Sequence, residues 1–371
     1  MRQNYLDFLR YSLDAGQSLP DSVDGIDWMD LMSWSERQGV VGVVYVGIQR
    51  GGRDLGIPFD ALMEWVGYAS QIEAQNRLLN DRCAGLRADL CKAGFESCIL
   101  KGQGNALMYP VPLLRTPGDI DVWCVSRRRV GNAGLCTVRS VRSVIAYARR
   151  QNLGAKACYH HVDYGDYKGA EVELHYRPSF MHNPFANRRL QKWFDAHMQE
   201  QFHNIKALPD GEGEISVPTW EFNVVYQLSH IYVHVLKEGI GLRHLTDYYI
   251  LLRHALGRQG AYNDRLGLTL RRLGLSGIAG AVMWVLHESL GLDERYLISP
   301  VDERRGRLLL SEMMRGGNFG RYDSRSPRHG GPLRSNLKRL IRDARLIRYF
   351  PSECLWEPVF RVWHFFWRLS H

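Results

Sequence analysis

The pattern of hydrophobic and polar positions divides the chain into three regions. In the first, apolar residues recur three and four positions apart, which predicts helices at 27–36 and 59–93. A glycine-rich turn at 51–58 separates helical patterns. Residues 40–48 are rich in β-branched side chains, and both a strand and a buried helix fit them. We therefore predict an N-terminal helical region at 1–94.

In the second region, at 95–215, short apolar runs alternate with short helical patterns. The runs predict strands at 95–100, 119–125, 155–164 and 169–176, the last two joined as a hairpin. The helical patterns predict helices at 104–109 and 138–151, and the arginines at 127–129 are expected to lead into a Gly/Asn turn. This alternation predicts an α+β fold with a small mixed sheet.

Helical periodicity returns in the third region, at 216–371. It predicts helices at 219–241, 242–256, 266–273 and 278–290, then a basic helix from residue 336 and an aromatic helix after Pro351. The stretch 316–332 is glycine-rich and basic, and we expect it to be mobile or ordered by a partner. The third region is thus a helical domain with a basic, aromatic end.

Composition narrows the class of protein. The chain has 371 residues, of which 45% are hydrophobic and 23% charged, as in globular proteins of two or three domains. No uncharged apolar run approaches the roughly 18 residues that a membrane span needs. The first residues carry acids, which argues against a secretory signal. Seven scattered cysteines without a CxxC pair indicate neither a disulfide framework nor zinc, so we predict a cytoplasmic protein.

The net charge of +9 is concentrated near the C-terminus. Residues 300–371 hold 15 Lys and Arg against 7 Asp and Glu, so they account for eight of the nine net charges. This segment can meet nucleic acid or another polyanion, or it can be a solvated helix surface. Its aromatic helix could lie at a membrane interface, but the helical spacing of its large residues favours docking on a core.

The most informative polar residues lie at the start of an apolar strand. Asp119 and Asp121 are two positions apart, so they project from one face of the strand. Adjacent carboxylates repel each other, and a divalent cation such as Mg²⁺ or Mn²⁺ compensates them. Lys101 and Arg115 flank the pair and are candidates for holding phosphate. This pattern predicts a metal-dependent site for nucleotidyl transfer.

A third acid is needed if two metal ions are to serve the attacking and leaving oxygens. The strand at 170–176 carries Glu171, Glu173 and His175 on one face. We choose Glu173 because it is central in the strand, and Glu171 is the alternative.

Two pairs of histidines leave alternatives open. His160 and His161 are adjacent in a predicted strand, so only one of them is expected to face the site. His230 and His234 are four apart on a helix, a spacing that can bind zinc. No HExxH pattern and no third ligand accompany them, so we predict core or surface histidines.

Three motifs resemble a known family. An LKG turn precedes an Ala-Leu-Tyr helix, R-x-x-GDID follows, and ELH precedes an aromatic residue. Together they resemble the bacterial uncharacterised nucleotidyltransferases of the DNA polymerase β-like superfamily. The resemblance covers roughly residues 85–365 and includes GIGLRHLTDYY at 239–249. It implies a small polymerase β-like domain at 95–215, flanked by helical regions.

The resemblance also assigns roles to residues. It implies that Asp119 and Asp121 bind metal and that Glu173 is the third acid, acting as a metal ligand or general base. Lys101 and Gly102 would form the phosphate-facing turn.

The resemblance also has two consequences for the residues that are expected to bind substrate. The resemblance implies that the helix with Arg243 and Asp247 lines the cleft, although a plain intrahelical ion pair fits the same spacing. The superfamily usually has Gly-Ser or Gly-Gly at the first helix, whereas residues 101–104 read KGQG, without a hydroxyl. Backbone N–H groups and Lys101 can still bind an anion there.

The predicted activity is Mg²⁺-dependent transfer of an NMP group from an NTP to a small molecule, a protein or RNA. One alternative is a glycosyltransferase that uses the Asp-x-Asp pair to chelate Mn²⁺ on a sugar nucleotide. Another is an inactive module that binds nucleotide or nucleic acid, which the absent serine supports.

Overall fold

The computed structural model of the chain describes residues 3–129, 135–138, 140–256, 263–323, 325 and 332–370. Helices make up most of this part, together with one five-stranded mixed sheet and a two-stranded ribbon. The predicted α+β class is therefore confirmed. Among the described residues, no helix combines the length and the apolar character needed to cross a membrane.

The N-terminal part is helical. Its helices are α1 (Gln3–Leu13), α2 (Trp28–Gln38), α3 (Val41–Gly51) and the long α4 (Phe59–Lys92). The Asp27 side chain caps α2 by accepting the N–H groups of Met29 and Asp30, and Gly39 ends it with a φ of 71°. Of the two structures that fit 40–48, the buried helix is the one formed.

The main sheet occupies the middle of the chain. Its elements are β1 (Phe95–Ile99), α5 (Gln103–Ala106), β2 (Ile120–Arg129), β3 (Leu135–Val138), α6 (Val141–Gln151), β4 (His161–Tyr167) and β5 (Ala170–His175). The strand order is β1-β2-β5-β4, and β3 also pairs with β2. β2 and β5 run parallel, whereas the other pairs are antiparallel.

Two local predictions were wrong, and a third lies partly outside the described residues. The arginines at 127–129 end β2, because β2 continues to pair with β3; the predicted turn at 130–134 lies outside the described residues. The strand predicted at 155–164 begins only at His161, because the chain reverses just before it. The helix predicted at 104–109 is the four-residue α5.

Helices dominate the rest of the chain. The elements are α7 (Pro184–Ala196), α8 (Met198–His203), β6 (Ile205–Ala207), β7 (Glu214–Ser216), α9 (Trp220–Lys237), α10 (Leu242–Leu256), α11 (Asn263–Leu273), α12 (Ser276–Trp284), α13 (Glu303–Gly316), α14 (Pro332–Leu346) and α15 (Pro351–Leu369). The bounds of α10 are those predicted. One π-helical turn, Val285–Ser289, extends α12. The loop predicted to be mobile lies partly outside the described residues.

The chain forms two compact units, each built from several segments. One comprises residues 1–74, 113–116 and 227–355, and we call it the helical unit. The other comprises 75–112, 117–226 and 356–371, and we call it the sheet unit. The three-part division at residues 94 and 215 stays a prediction.

One face of the main sheet forms the core of the sheet unit. Ile120 and Val122 of β2 and Val172 and Leu174 of β5 are buried on this face. They share a cluster with apolar side chains of α4 and α6, among them Leu79, Cys83, Leu86, Leu90, Val144, Ile145 and Ala148. Alternation along each strand therefore directs the intervening residues to the opposite face.

In the helical unit, a buried ion pair ties the segment 113–116 to α10. Arg115 Nε and Nη2 donate to the two carboxylate oxygens of Asp247 at 2.8 and 2.7 Å. Both side chains are less than 8% exposed. The two hydrogen bonds are parallel and shielded from solvent. Water therefore cannot replace either charged group if its partner is removed.

The same segment also packs closely on α3. A Cβ at Gly42 would overlap the Leu114 carbonyl oxygen, so only glycine allows this approach. Gly42→Ala is expected to lower the free energy of unfolding by about 1–3 kcal/mol, as overpacking does. Urea unfolding followed by circular dichroism measures the change.

Gly67 in α4 provides the matched control. It is exposed, and a Cβ there would meet nothing within 4 Å. Gly67→Ala should therefore stabilise the protein by about 0.5–1 kcal/mol, since alanine favours a helix over glycine. Equal effects of the two substitutions would contradict the close approach at Gly42.

The Arg115–Asp247 pair yields a second prediction. Arg115→Ala removes both of these hydrogen bonds from the buried Asp247 carboxylate and should cost about 3–5 kcal/mol of unfolding free energy. Arg115→Lys keeps the charge but loses the bidentate geometry, so it should recover only part of that stability. A loss below about 1 kcal/mol for Arg115→Ala, as at an exposed ion pair, would show that the pair is not structural.

Candidate functional site

Neighbouring strands carry polar side chains on the face opposite the apolar core. β2 and β5 are parallel, with Asp121 opposite Glu173 and Trp123 opposite His175. β4 lies on the other side of β5 and places His161 opposite His175. Because side chains alternate along a strand, these residues all share one face. Strand pairing thus brings together acids and imidazoles that are distant in sequence.

The three predicted acids converge on this face. Oxygens of Asp119, Asp121 and Glu173 lie within 4.8 Å of one another. Asp121 is 1% exposed, whereas the side chains of Asp119 and Glu173 are 33% and 32% exposed, so the group opens to solvent on one side. Three oxygen donors at this spacing fit a divalent cation such as Mg²⁺. Their catalytic role stays a prediction.

Lys101 lies directly beside two of these acids. Its Nζ is 2.9 Å from Asp121 Oδ2 and 3.9 Å from Asp119 Oδ1. Burial lowers the pKa of Lys101, but the negative charges of these carboxylates raise it more, so it stays protonated. Burial raises the pKa of Asp121, and Lys101 with His175 lowers it to below its usual range. The pair is therefore charged at neutral pH.

Two imidazoles hold the carboxylates in place. His175 is buried, and its Nε2 lies 2.9 Å from Asp121 Oδ1 and 3.2 Å from Glu173 Oε2. His161 has Nδ1 3.1 Å from Glu173 Oε2 and Nε2 3.3 Å from Asp163 Oδ1. Burial lowers the pKa of His161, but hydrogen bonds to Asp163 and to a neighbouring thiol raise it to about 10. These rings thus orient the carboxylate groups.

The expectation that only one of His160 and His161 faces the site was wrong. His160 precedes β4 and lies in the chain reversal, so strand alternation does not apply to it. The ring centroids of His160 and His161 lie 5.3 and 5.1 Å from that of His175. Both rings therefore contact the same site histidine.

The predicted phosphate-facing turn contains a glycine with positive φ and is followed by a buried glutamine. Gly102 has a φ of 59°, which explains the glycine. Gln103 is buried and donates to Asn80 Oδ1 at 2.7 Å. Its amide thus ties α5 to α4. Since α5 has only four residues, it provides little helix dipole, and phosphate binding by Lys101 and Gly102 stays a prediction.

The other predicted substrate residues belong to the helical unit. Asp247 accepts two hydrogen bonds from Arg115, and the intrahelical Arg243–Asp247 pair stays a prediction. Arg243 lies over the Phe319 ring, with its guanidinium carbon 5.5 Å from the centroid. Substrate binding by these three residues is untested and remains a prediction.

His230 and His234 pack edge to face in the helical unit, with ring centroids 4.3 Å apart. His234 Nδ1 lies 2.6 Å from Glu238 Oε1. Among the residues that the structure describes, no group of three metal-ligating side chains includes this pair. His230 is buried and His234 is half-buried, and their assignment as core or surface histidines stays a prediction.

Sequence reasoning named His175 but gave it no role, and it missed Tyr226 altogether. Burial raises the pKa of the Tyr226 hydroxyl well above its usual range, and the charges of Asp121, Asp119 and Glu173 raise it further. This tyrosine therefore lies within the field of the acidic group. Tyr226 lies in a largely apolar helix, and no motif or spacing in the sequence marks it as a site residue. His175 could have been found, because it is two positions after Glu173 on a strand and so shares its face.

Comparison with known proteins agrees with this geometry. A family model described as an uncharacterised nucleotidyltransferase matches residues 24–291, which include all three acids and Lys101. No curated protein and no solved structure matches the chain. The family match spans well over half of the sequence. The chain therefore belongs to the uncharacterised nucleotidyltransferase family.

Proposed function

We propose that the protein is a metal-dependent nucleotidyltransferase of the polymerase β-like type, which moves an NMP group from an NTP to a hydroxyl-bearing acceptor. The observation that carries this proposal is the convergence of Asp119, Asp121 and Glu173 within 4.8 Å on adjacent strands. Membership of a nucleotidyltransferase family supports the reaction class.

The three carboxylates fit the divalent cation that this chemistry uses. All of the donors are hard oxygens, and two of them are partly exposed, so a cation and a phosphate can reach them. Asp119, Asp121 and Glu173 would hold Mg²⁺ or Mn²⁺. The cation would supply positive charge to neutralise the phosphate oxygens during transfer.

The reaction forms a bond between the acceptor oxygen and the α-phosphorus. The bond from that phosphorus to the β-phosphate oxygen breaks, pyrophosphate leaves, and the acceptor proton passes to solvent or a base. Since little covalent chemistry falls to the protein, positioning and charge carry most of the catalysis. Lys101 lies 2.9 Å from Asp121 and 3.9 Å from Asp119, and its ammonium group would attract the triphosphate.

Glu173 is better suited to ligation than to general base catalysis. Burial raises its pKa, but His175 and His161 lower it to about 2. A carboxylate with so low a pKa is fully ionised at neutral pH, as a ligand must be, but it is a weak base. We therefore assign Glu173 as the third ligand and His175 as a positioning residue.

The central test is label transfer from each NTP, labelled with radioactive phosphorus at the α-position. The protein is incubated with Mg²⁺ or Mn²⁺ and with cell extract or RNA. Asp121→Asn and Glu173→Gln should each reduce transfer at least about 100-fold, because each removes a charged ligand. Transfer that survives Asp119→Asn combined with Asp121→Asn would refute the proposal.

Glu171→Gln provides the matched control. Glu171 lies on the same strand and is exposed, and it was the alternative third acid. Its substitution should leave transfer within about twofold of the wild-type rate, as for a surface residue. Loss of transfer in Glu171→Gln but not in Glu173→Gln would reverse the assignment. Nucleotide binding without any turnover would instead favour the inactive binding module.

Removal of His175 tests its positioning role. His175→Gln should reduce transfer about 10–100-fold, the usual effect of losing a residue that orients metal ligands. The metal concentration that gives half-maximal transfer should rise in the same variant. An unchanged metal requirement would contradict the positioning role, and thermal unfolding shows whether the variant is folded.

A further inference from the structure

A second group of metal-ligating side chains lies at the chain reversal before β4. The Cys158 N–H donates to the His161 carbonyl at 2.9 Å, and the Asp163 N–H donates to the Lys156 carbonyl at 3.1 Å. These bonds close a tight turn that contains His160. The turn brings one thiol and two imidazoles together over four residues.

The distances within this group suit a tetrahedral metal ion. Cys158 Sγ lies 3.4 Å from His160 Nδ1, and His160 Nε2 lies 3.1 Å from His161 Nδ1. All three residues offer ligand atoms within 4.8 Å of one another. Zinc bonds of about 2.3 Å to sulfur and about 2.0 Å to nitrogen place the ligand atoms about 3.3–3.6 Å apart. The two short contacts use opposite nitrogens of the His160 ring, so this ring must turn to bring one nitrogen toward both other ligand atoms, which already lie within 4.8 Å.

The donor chemistry differs from that of the carboxylate group. A thiolate and two imidazoles favour zinc or a similar transition metal, whereas three carboxylates favour Mg²⁺. Cys158 is a free thiol. Among the described residues, it is the one cysteine that belongs to a group able to hold a metal. The search for Cys-x-x-Cys pairs in the sequence does not find this group, because the partners of Cys158 are histidines.

The surroundings hold this turn in place. The Tyr176 hydroxyl donates to the Cys158 carbonyl and, at 3.1 Å, to the His161 carbonyl. The His160 ring packs on Phe180, with centroids 4.9 Å apart. The ligands are therefore carried by a backbone that is already ordered by neighbouring side chains.

We propose that Cys158, His160 and His161 bind one Zn²⁺ ion, with the fourth position open to water. His161 has a carboxylate beside each ring nitrogen, Glu173 at 3.1 Å and Asp163 at 3.3 Å. Whichever nitrogen binds zinc, the other donates to a carboxylate, as in carboxylate–histidine–zinc arrangements.

This site would position the third acid of the catalytic group. This role requires zinc on His161 Nε2, which leaves Nδ1 to donate to Glu173, the carboxylate that His175 also contacts. Fixing the His161 ring then fixes the Glu173 carboxylate. This positioning role rests on the proposed function, whereas zinc binding itself does not. The two can therefore fail independently.

The first test is metal content. The full chain is purified after expression with zinc, dialysed against metal-free buffer and analysed by mass spectrometry of the elements. We expect about one zinc ion per chain in the wild type, and at least about a tenfold loss in Cys158→Ser and in His160→Ala. Asp121→Asn should retain zinc, since Asp121 belongs to the carboxylate group only.

Cys91→Ser is the matched control for the thiol. Cys91 is exposed near the end of α4 and belongs to none of the metal-ligating groups of the described residues. Its substitution should leave the zinc content unchanged. Equal zinc in the wild type and in Cys158→Ser, or loss of zinc only in Asp121→Asn, would overturn the proposal.

Cobalt substitution provides a direct signature of the thiolate ligand. Co²⁺ added to the metal-free chain should produce visible bands typical of tetrahedral coordination and a sulfur-to-cobalt band in the near ultraviolet. The latter should vanish in Cys158→Ser and persist in Cys91→Ser. Absence of the sulfur-to-cobalt band from the wild type would exclude Cys158 as a ligand.

Thiol alkylation tests the site without any substitution. The wild-type chain is treated with iodoacetamide with and without Zn²⁺, and peptide mass spectrometry reports modification at each cysteine. Zinc should slow alkylation of Cys158 at least about tenfold, because a coordinated thiolate is less available, and leave Cys91 unaffected. Equal rates at Cys158 under both conditions would contradict the proposal even if Cys158→Ser fails to fold.

Discussion

The parallel pairing of β2 with β5 is the constraint on which the site depends. It places Asp121 directly opposite Glu173, at the same level of two adjacent strands. A shift of the register by one residue would turn the acids toward the apolar core and the buried valines toward solvent. The burial of Val122, Val172 and Leu174 therefore determines where the carboxylates lie. Packing of one face of the sheet positions the chemistry on the other.

Holding several acids at such short distances requires compensating positive charge. Without a bound cation, Lys101 and His175 supply this positive charge to Asp121, and His161 supplies it to Glu173. A bound divalent cation would take over much of that role and would compete with the ammonium group for Asp121. The site is thus a balance of buried charges, in which each group raises or lowers the pKa of its neighbours.

Gln103, in the segment 101–104 that has no serine, has a structural role. Gln103 is buried and hydrogen-bonded to α4, so it stabilises the contact between α5 and α4 instead of reaching a ligand. Lys101, two residues earlier in the chain, contacts the acids.

The sequence by itself predicted much of the local structure. Helical periodicity identified α4 and α10, and the Asp-x-Asp spacing in an apolar strand identified two carboxylates on one face, because both signals depend only on neighbours along the chain. It also selected Glu173 over Glu171, which the register supports by placing Glu173 opposite Asp121.

Only the tertiary structure decided which distant residues meet. The pairing of Arg115 with Asp247, and the contact of His161 with Glu173, join residues with no shared spacing or motif. The strand predicted over Cys158 and His160 is a tight turn, because hydrogen bonds to Asp163 and His161 reverse the chain there. Periodicity determines which face a residue takes within its own element, whereas partners across elements depend on packing of the whole unit.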